Sequence, residues 1–282
     1  SSAASDVYKR QSMDYFQYLR KDKFPHIWCA GCGDGIVLKA IIRAVQKHNI
    51  DKNDIAMVSG IGCSSRTPGY VDFYTLHTTH GRALTFATGL KMVRPELHII
   101  VVTGDGDATA IGGNHLIHAA RRNIDMTVLV YNNHIYGMTG GQVSPETPVG
   151  DFATTAPYGM LENSFNIAEL VAAAGASFVA RCTSYHANML SRLIEKAIAK
   201  RGFSLIEVMT PCPTAYGKIN KKGTPEQMIL DQKSQAVRIE AAKDMSADEL
   251  KGKILIGTLV DRELPEYVNN YEKIIAQAQR VD

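Results

Sequence analysis

The sequence has no long apolar run, no strong net charge and few cysteines, and each of these absences narrows the class of protein. No apolar run approaches the length that crosses a bilayer, and no signal peptide is recognisable, so we expect a cytoplasmic location. The net charge is only +3 over 282 residues. Charged residues are spread along the chain, which argues against a nucleic-acid-binding stripe or a basic membrane patch.

The cysteine count is small and odd, which argues against a disulfide framework. In a large chain expected in the cytoplasm, metal binding or redox chemistry explains cysteines better than structural disulfides do. The five cysteines are Cys29, Cys32, Cys63, Cys182 and Cys212.

Short apolar runs alternate with helical patterns through most of the chain. Strands are predicted at residues 55–60, 97–104, 126–133 and 203–209. Helices are predicted at residues 35–48, 81–93, 112–123, 167–176 and 188–201. This alternation predicts an α/β fold with a mostly parallel sheet and helices on both faces.

The two ends of the chain differ in character from this pattern. Residues 1–12 are small, polar and without periodicity, and we expect them to be a disordered leader for which a non-native origin is one explanation. The segment from about residue 215 is charged and loop-like. Within it, Ser246 and Glu249 have the spacing of a capping box that opens a helix.

The stretch TGDGDATAIGG, residues 103–113, places two aspartates among glycines directly after an apolar strand. Asp105 and Asn133 each follow a predicted strand, so both are expected at the carboxyl edge of the sheet, where ligands of open α/β sheets bind. A carboxylate and an amide oxygen suit Mg²⁺, and the glycines and a helix predicted to begin near Ile111 suit a phosphate. A plain Asp-Gly turn is the alternative, but the pairing of GDG with NN favours a magnesium–diphosphate site.

Longer motifs carry a family resemblance. The segments WCAGCGDG, SGIGCSSRTPGY, LHTTHGRALTFATGLK, TGDGDATAIGGNH and NNHIYGMTGGQVSPETP together resemble the β subunit of 2-oxoacid:ferredoxin oxidoreductases, and most closely its 2-oxoglutarate branch. The resemblance runs from about Met13 to the end of the chain. It implies a thiamine diphosphate-binding domain at residues 13–214 and a C-terminal extension, residues 215–282, packed on the same domain.

The same resemblance assigns the residues of a cofactor site. Side chains of Asp105 and Asn133 and the carbonyl of Ile135 would bind Mg²⁺. His80, in the HGRA motif, would lie close to thiamine diphosphate as a catalytic residue. The other residues that the resemblance assigns to cofactor binding are Gly62, Cys63, Gly104, Gly106, Asp107, Gly137, Met138 and Thr139. The chain departs from the family at Glu146, where other members usually carry threonine.

The WCAGC motif has three interpretations: a thioredoxin-like dithiol, half of a zinc site, or two ligands of an iron–sulfur cluster. No clear strand precedes it and no second close cysteine pair exists, which weakens the first two. Cys63 and Cys212 each follow a predicted strand at the same edge as Asp105, so four thiolates could converge there. The resemblance assigns Cys29, Cys32, Cys63 and Cys212 to a 4Fe–4S cluster, whereas Cys182 fits no motif and is expected to be buried and free.

By resemblance, the enzyme decarboxylates a 2-oxoacid oxidatively to an acyl-coenzyme A and passes electrons through the cluster to ferredoxin. Arg66 follows Cys63 by three residues and could hold a second substrate carboxylate, so we assign it a catalytic role and expect 2-oxoglutarate rather than pyruvate or a branched-chain 2-oxoacid. No glutamate lies in a motif that would activate the cofactor's aminopyrimidine ring. An α subunit, as a heterodimer or a dimer of heterodimers, would supply it.

Other functions remain open from the sequence alone. They are a thiamine diphosphate lyase without redox chemistry, a dithiol oxidoreductase that uses Cys29 and Cys32, and a nucleotide-binding regulatory subunit. Visible absorbance from a cluster, activity that survives loss of Cys63 and Cys212, and competition by a nucleotide would distinguish them.

Overall fold

The computed structural model describes residues 15–280, so the expectation for residues 1–12 lies outside the described residues. The strands are β1 (Ile55–Ser59), β2 (Tyr74–His77), β3 (His98–Gly104), β4 (Met126–Asn132), β5 (Ile135–Tyr136), β6 (Gln142–Val143), β7 (Phe178–Thr183), β8 (Phe203–Met209), β9 (Ala236–Arg238) and β10 (Ile254–Asp261). The α-helices are α1 (Asp34–Lys47), α2 (Ala83–Val93), α3 (Asp105–Thr109), α4 (Gly113–Arg121), α5 (Ile167–Ala174), α6 (Ala187–Ala199), α7 (Pro225–Gln235), α8 (Ile239–Ala242), α9 (Ala247–Leu250) and α10 (Tyr267–Ala278).

An eight-stranded sheet organises the molecule, with the strand order β2-β1-β3-β4-β8-β7-β10-β9. The six neighbouring strands β2, β1, β3, β4, β8 and β7 pair in parallel, whereas β10 runs antiparallel to β7. Strands β5 and β6 form a separate hairpin just after β4. The order brings β3 and β4 side by side, and their carboxyl ends therefore open on one crevice.

Helices cover both faces of the sheet because successive strand residues point to opposite sides. In β3, Ile100 and Val102 pack with α1 and α6 in one apolar cluster, while Ile99 and Val101 pack with α2, α4 and α5 in the other. Strands β1, β3, β4 and β8 are almost wholly buried on both faces, as the middle of a parallel sheet covered by helices requires. The predicted class, an α/β fold with a mostly parallel sheet and helices on both faces, is confirmed.

All four predicted strands form, as β1, β3, β4 and β8, and the five predicted helices form as α1, α2, α4, α5 and α6. The helix predicted to begin near Ile111 is α4, which begins at Gly113, and a further short helix that was not predicted, α3, precedes it from Asp105. Two helices therefore connect β3 to β4 instead of one. The structure also adds β2, β7, β9 and β10 to the sheet.

The C-terminal segment contributes to the main sheet through β10. The predicted capping box is present, since the Ser246 hydroxyl accepts from Glu249 N–H and the Glu249 carboxylate accepts from Ser246 N–H. Across residues 15–280, none of the helices combines the length and the apolar character that crossing a membrane would need.

Candidate active site

A cavity lies at the carboxyl edge of β1, β3 and β4, and the residues predicted to bind the cofactor all line it. They are Gly62, Cys63, His80, Gly104, Asp105, Gly106, Asp107, Asn133, Ile135, Gly137, Met138 and Thr139. The lining also includes Ile61, Ser64, Tyr131 and Tyr136, which sequence reasoning did not assign. The sheet thus brings together segments that are far apart in the chain, and their role in binding stays a prediction.

Asp105 is a buried carboxylate at the first residue of α3. Its Oδ2 accepts a hydrogen bond from the Ser144 hydroxyl at 2.6 Å, and the backbone of Asn133 also donates to it. Burial nevertheless raises the pKa of Asp105 to about 7. A buried acid whose ionised form is this unfavourable is one that a bound cation would stabilise, so the site fits Mg²⁺.

The turn after β4 carries the other predicted magnesium ligands. His134 has φ of 64°, in the left-handed region that residues other than glycine rarely adopt. The Asn133 amide oxygen accepts from Ile135 N–H at 3.1 Å, and Ile135 itself is buried. Asn133 and Ile135 thus line the same cavity as Asp105, and an amide oxygen and a backbone carbonyl are hard oxygen donors suited to Mg²⁺.

Glycine is required where the cavity wall approaches Tyr136. A Cβ at Gly106 would lie only 2.2 Å from the Tyr136 ring carbon Cζ, so no side chain fits there. The Tyr136 hydroxyl donates to the Gly106 carbonyl at 2.9 Å and fixes this approach. Gly104 and Gly106 line the cavity and carry no side chain of their own, which suits the approach of a diphosphate to their backbone.

Asp107 has a different environment from Asp105, although it lines the same cavity. Its Oδ1 accepts from Gly81 N–H at 2.6 Å and from the His80 Nδ1, while Oδ2 accepts from the Thr103 hydroxyl at 2.7 Å. These donors leave little capacity for a ligand on the carboxylate. Asp107 therefore orients His80, whose other ring nitrogen is left for the cavity.

Arg66 is not among the residues that line the cavity. It lies in the 3₁₀ helix Ser64–Gly69, is exposed, and directs its guanidinium to the sulfur of Met138 at 3.8 Å. Because Met138 lines the cavity, Arg66 lies at its rim. Its predicted contact with a substrate carboxylate requires the side chain to turn inward, and this role remains a prediction.

The segments that carry four of the cysteines contact one another. Trp28 Nε1–H donates to the Cys63 carbonyl at 2.8 Å, and a Cβ at Gly33 would lie 2.9 Å from Pro211 Cδ, the residue before Cys212. A Cβ at Gly137 would lie 3.3 Å from Cys212 Sγ and 3.8 Å from Cys63 Sγ. The cysteine segments therefore meet at the cavity wall, to which Cys63 itself belongs.

The thiols differ in their surroundings. Cys29 is exposed, Cys32, Cys63 and Cys212 are half-buried, and Cys182 is buried and free as expected. Burial, with the nearby Asp34 carboxylate as a smaller cause, raises the pKa of Cys63 to about 12. Thiols of such high pKa become thiolates when a metal binds them.

Within residues 15–280, no three His, Cys, Asp or Glu side chains converge as ligands of a single metal ion. The predicted Mg²⁺ site includes only one carboxylate, and the remaining ligands are an amide and a carbonyl. The thiols of a 4Fe–4S site each bind a different iron, which needs a wider spacing than a single ion does.

Asp34 is a residue that sequence reasoning missed. It is the first residue of α1, is buried, and over residues 15–280 its carboxylate oxygens have no hydrogen-bond partner of normal geometry, although the Cys32 thiol lies beside it. Burial raises the pKa of Asp34 to about 7. An acidic residue two positions after a cysteine pair was the available signal.

Comparisons with known proteins agree with this architecture. Residues 60–208 match the family model "Thiamine pyrophosphate enzyme, C-terminal TPP binding domain". The chain is 53% identical over 259 residues to 2-oxoglutarate synthase subunit KorB of Methanocaldococcus jannaschii, covering 92% of this chain and 96% of that protein. It is 52% identical over 269 residues to the subunit of that name from Methanothermobacter marburgensis, covering 95% and 94% of the two chains.

A solved structure matches over nearly the whole chain. It is the 2-oxoglutarate:ferredoxin oxidoreductase from Magnetococcus marinus with 2-oxoglutarate, coenzyme A and succinyl-CoA bound. The TM-score is 0.85 at 34% sequence identity, covering 95% of this chain and 92% of the other. The sheet, the position of the cavity and these matches lead to one assignment: the chain has the thiamine pyrophosphate-binding fold and belongs to the family of KorB subunits, the β subunits of the 2-oxoglutarate branch.

Proposed function

We propose that this chain is the β subunit of a thiamine diphosphate-dependent 2-oxoglutarate:ferredoxin oxidoreductase. The reaction converts 2-oxoglutarate and coenzyme A to an acyl-coenzyme A and carbon dioxide, and ferredoxin receives the electrons. The KorB relatives and the Magnetococcus marinus enzyme support this class of reaction. We expect it to take place in the cytoplasm.

The observation that carries the proposal is the position of Gly137. This residue lines the cavity, and a Cβ on it would lie 3.3 Å from Cys212 Sγ and 3.8 Å from Cys63 Sγ. Two of the thiols thus lie beside one position of the cavity wall, and Cys63 is itself a lining residue. A lyase without redox chemistry gives these thiols no role.

The residues assigned to the cofactor would bind different parts of it. Asp105, Asn133 and Ile135 would hold Mg²⁺ through a carboxylate, an amide oxygen and a carbonyl, and the glycines at 104 and 106 would face the diphosphate. When bound, thiamine diphosphate supplies the nucleophile that attacks the 2-oxo carbon and supports loss of carbon dioxide. His80, held by Asp107, would orient a polar group of the substrate or cofactor.

Cys29, Cys32, Cys63 and Cys212 would hold a 4Fe–4S cluster. Such a cluster supplies a one-electron acceptor close to the reacting carbon. Cys29, the exposed thiol, marks the side from which ferredoxin would receive electrons. Arg66, at the rim, would turn inward and pair with the second carboxylate of 2-oxoglutarate, which pyruvate and branched-chain 2-oxoacids lack.

An α subunit completes the proposed enzyme. No glutamate is found among the described residues that line the cavity, so the group that activates the aminopyrimidine ring would come from another chain. The cavity also opens to the surface at Ile61 and Met138, which are exposed. A second subunit at this opening would exclude water from the reaction.

The test uses the chain purified anaerobically together with the α subunit. We expect a brown complex whose visible absorbance bleaches when 2-oxoglutarate and coenzyme A are added, and much less with pyruvate. Cys63→Ser is expected to remove most of the colour. Cys182→Ser is the matched control, because Cys182 is buried in β7 and is not one of the four cysteines assigned to the cluster, and it is expected to leave the colour unchanged.

Three outcomes would change the proposal. Bleaching only with pyruvate or a branched-chain 2-oxoacid would keep the enzyme class and overturn the substrate. A colourless complex without iron that still decarboxylates 2-oxoglutarate would replace the proposal with a thiamine diphosphate lyase. A complex that binds no thiamine diphosphate would overturn the proposal as a whole.

A further inference from the structure

The segment Ser144–Thr147 contacts both halves of the proposed cation site. On one side, the Ser144 hydroxyl donates to Asp105 Oδ2 at 2.6 Å. On the other side, the Thr147 hydroxyl donates to the His134 carbonyl at 2.6 Å. The Asp105 carboxylate and the turn after β4, which come from different strands, are therefore linked through four consecutive residues.

Glu146 makes two further contacts with the turn after β4. The Asn132 amide donates to Glu146 Oε2 at 3.3 Å, and it also donates to Glu207 Oε1 at 2.8 Å. The backbone carbonyl of Glu146 accepts from His134 Nδ1 at 2.8 Å, which requires the proton to be on Nδ1. Residues on both sides of Asn133 are thus fixed by Glu146.

The segment is itself rigid. Thr147 N–H donates to the Ser144 carbonyl at 3.0 Å, and Ser144 N–H donates to the Thr147 hydroxyl at 2.9 Å. Glu146 N–H donates to the Ser144 hydroxyl at 3.2 Å. All three residues are at least 96% buried, so their hydrogen bonds are made in a dry environment where they are strong.

The turn needs this support because of its backbone conformation. His134, between the two predicted ligands Asn133 and Ile135, has φ of 64°. A left-handed conformation of a non-glycine residue is unfavourable by about 1 kcal/mol or more and persists where its surroundings enforce it. The contacts of Glu146 and Thr147 fall on His134 itself, on its ring and on its carbonyl.

Charge explains why a carboxylic acid can occupy this place. Arg181 pairs with Glu207 at 2.7 Å rather than with Glu146. Burial, with the neighbouring Glu207 and Asp105 charges, raises the pKa of Glu146 to about 9, so the side chain is neutral at pH 7. A neutral acid accepts from Asn132 without adding a charge beside Asp105, and glutamine has the same shape and the same acceptor.

We propose that the Ser144–Thr147 segment is a positioning element that holds the two halves of the divalent-cation site in register, with Glu146 as its anchoring residue. This inference rests on the proposed function. Groups that orient metal ligands from behind typically change metal affinity about 10- to 100-fold when they are removed. Glu146 is thereby distinguished from the ligands, since it does not contact the ion.

The experiment measures cation affinity directly, with Mn²⁺ as the probe. The α–β complex is purified, saturated with thiamine diphosphate, and titrated with Mn²⁺ while free Mn²⁺ is followed by electron paramagnetic resonance. We expect Glu146→Ala to weaken Mn²⁺ binding about tenfold or more. Glu146→Gln is expected to rescue it to the wild-type value, because the amide keeps the acceptor for Asn132.

The matched control is Glu266→Ala, which removes another buried glutamate, at the start of α10 and away from the cavity lining. It is expected to lower the melting temperature and to leave Mn²⁺ affinity unchanged. Thr147→Val, which keeps the shape and removes the donor to His134, serves if Glu146→Ala does not fold, and it is expected to weaken Mn²⁺ binding. This inference would be overturned if Glu146→Ala bound Mn²⁺ as tightly as the wild type, or if Glu146→Ala and Glu266→Ala lost equal affinity. If Glu146→Ala does not fold, wild-type Mn²⁺ affinity in Thr147→Val would overturn it. Wild-type protein that binds neither Mn²⁺ nor thiamine diphosphate would instead overturn the proposed function.

Discussion

At the scale of single residues, two aspartates of the same motif have opposite environments. Asp105 and Asp107 are both buried, yet Asp107 is surrounded by protein donors from Gly81, His80 and Thr103, whereas burial dominates the environment of Asp105. One carboxylate is thus committed to positioning a histidine and the other is available to a cation. The motif alone does not distinguish them, because two of the three donors to Asp107, Gly81 and His80, lie outside it.

Asp105→Asn is therefore expected to weaken the binding of Mg²⁺ and thiamine diphosphate by more than about tenfold, because it removes the one carboxylate among the predicted ligands. Calorimetric titration of the complex with thiamine diphosphate at fixed Mg²⁺ measures this. Asp107→Asn is the charge-matched comparison: we expect it to keep the affinity and to slow turnover, since His80 loses its partner. Equal losses of affinity in the two variants would contradict the division of roles.

Glu146 gives a pH dependence of stability whose sign follows from its raised pKa. Its pKa is raised by burial from 4.5 to about 9 in the folded chain. Below pH 4.5 the Glu146 carboxyl is neutral in both the folded and the unfolded state, and its contribution to the free energy of unfolding is fully present. As pH rises from 4.5 to about 9, ionisation is easier in the unfolded state, so this contribution is progressively lost. The free energy of unfolding of the wild type, minus that of Glu146→Gln, is expected to fall between these pH values.

Urea unfolding of both proteins at a series of pH values checks this expectation. Glu146→Gln cannot titrate at this position, so ionisable groups that do not interact with Glu146 cancel in the difference. A difference that stays constant between pH 5 and 9 would show that Glu146 is not buried in its neutral form.

At the scale of elements, the sequence predicts the strands that are apolar on both faces. It does not predict the elements whose formation depends on contacts with segments distant in sequence. Strands β1, β3, β4 and β8 are continuous apolar runs. Strand β2 is half-exposed to exposed, β7 carries Arg181 in its middle, and β10 lies in a charged segment, so none has that signature. The short helix α3, which contains glycine and two aspartates, packs against β3, β4 and β5, so it depends on neighbours that are distant in sequence.

Helix α10 illustrates a cap that can be tested. The Glu266 carboxylate accepts from the N–H groups of Val268 and Asn269, and it also accepts from Asp125 N–H at the start of β4. Glu266→Ala is expected to destabilise the chain by about 1–2 kcal/mol, since a lost N-terminal cap typically has this effect. Thermal unfolding measures the loss, and an unchanged melting temperature would mean that water replaces the cap at no cost.

At the scale of the whole molecule, the cavity is open and lacks a glutamate among its described lining residues. The chain on its own is therefore expected to show no decarboxylation of 2-oxoglutarate, even with Mg²⁺, thiamine diphosphate and coenzyme A present. Addition of the α subunit is expected to restore turnover, followed as carbon dioxide release. Turnover by the isolated chain at the rate of the complex would contradict the shared active site.

The class of fold and the residues around the cavity could be predicted because motifs and apolar runs are local in sequence. The surroundings of Arg66, Asp34 and Glu146 could not be predicted from the sequence. Arg66 follows a cavity residue by three positions but points along the rim, and Asp34 and Glu146 owe their character to burial that distant segments create. Which ionisable side chains are buried is therefore known only from the folded structure.

Gly137 has a consequence for how such an enzyme can change over time. Gly137 lines the cavity, and a methyl group on it would meet Cys212 Sγ at 3.3 Å and Cys63 Sγ at 3.8 Å. An alanine arising here would crowd the Cys212 thiol, so we expect the position to stay glycine for as long as that thiol keeps its place.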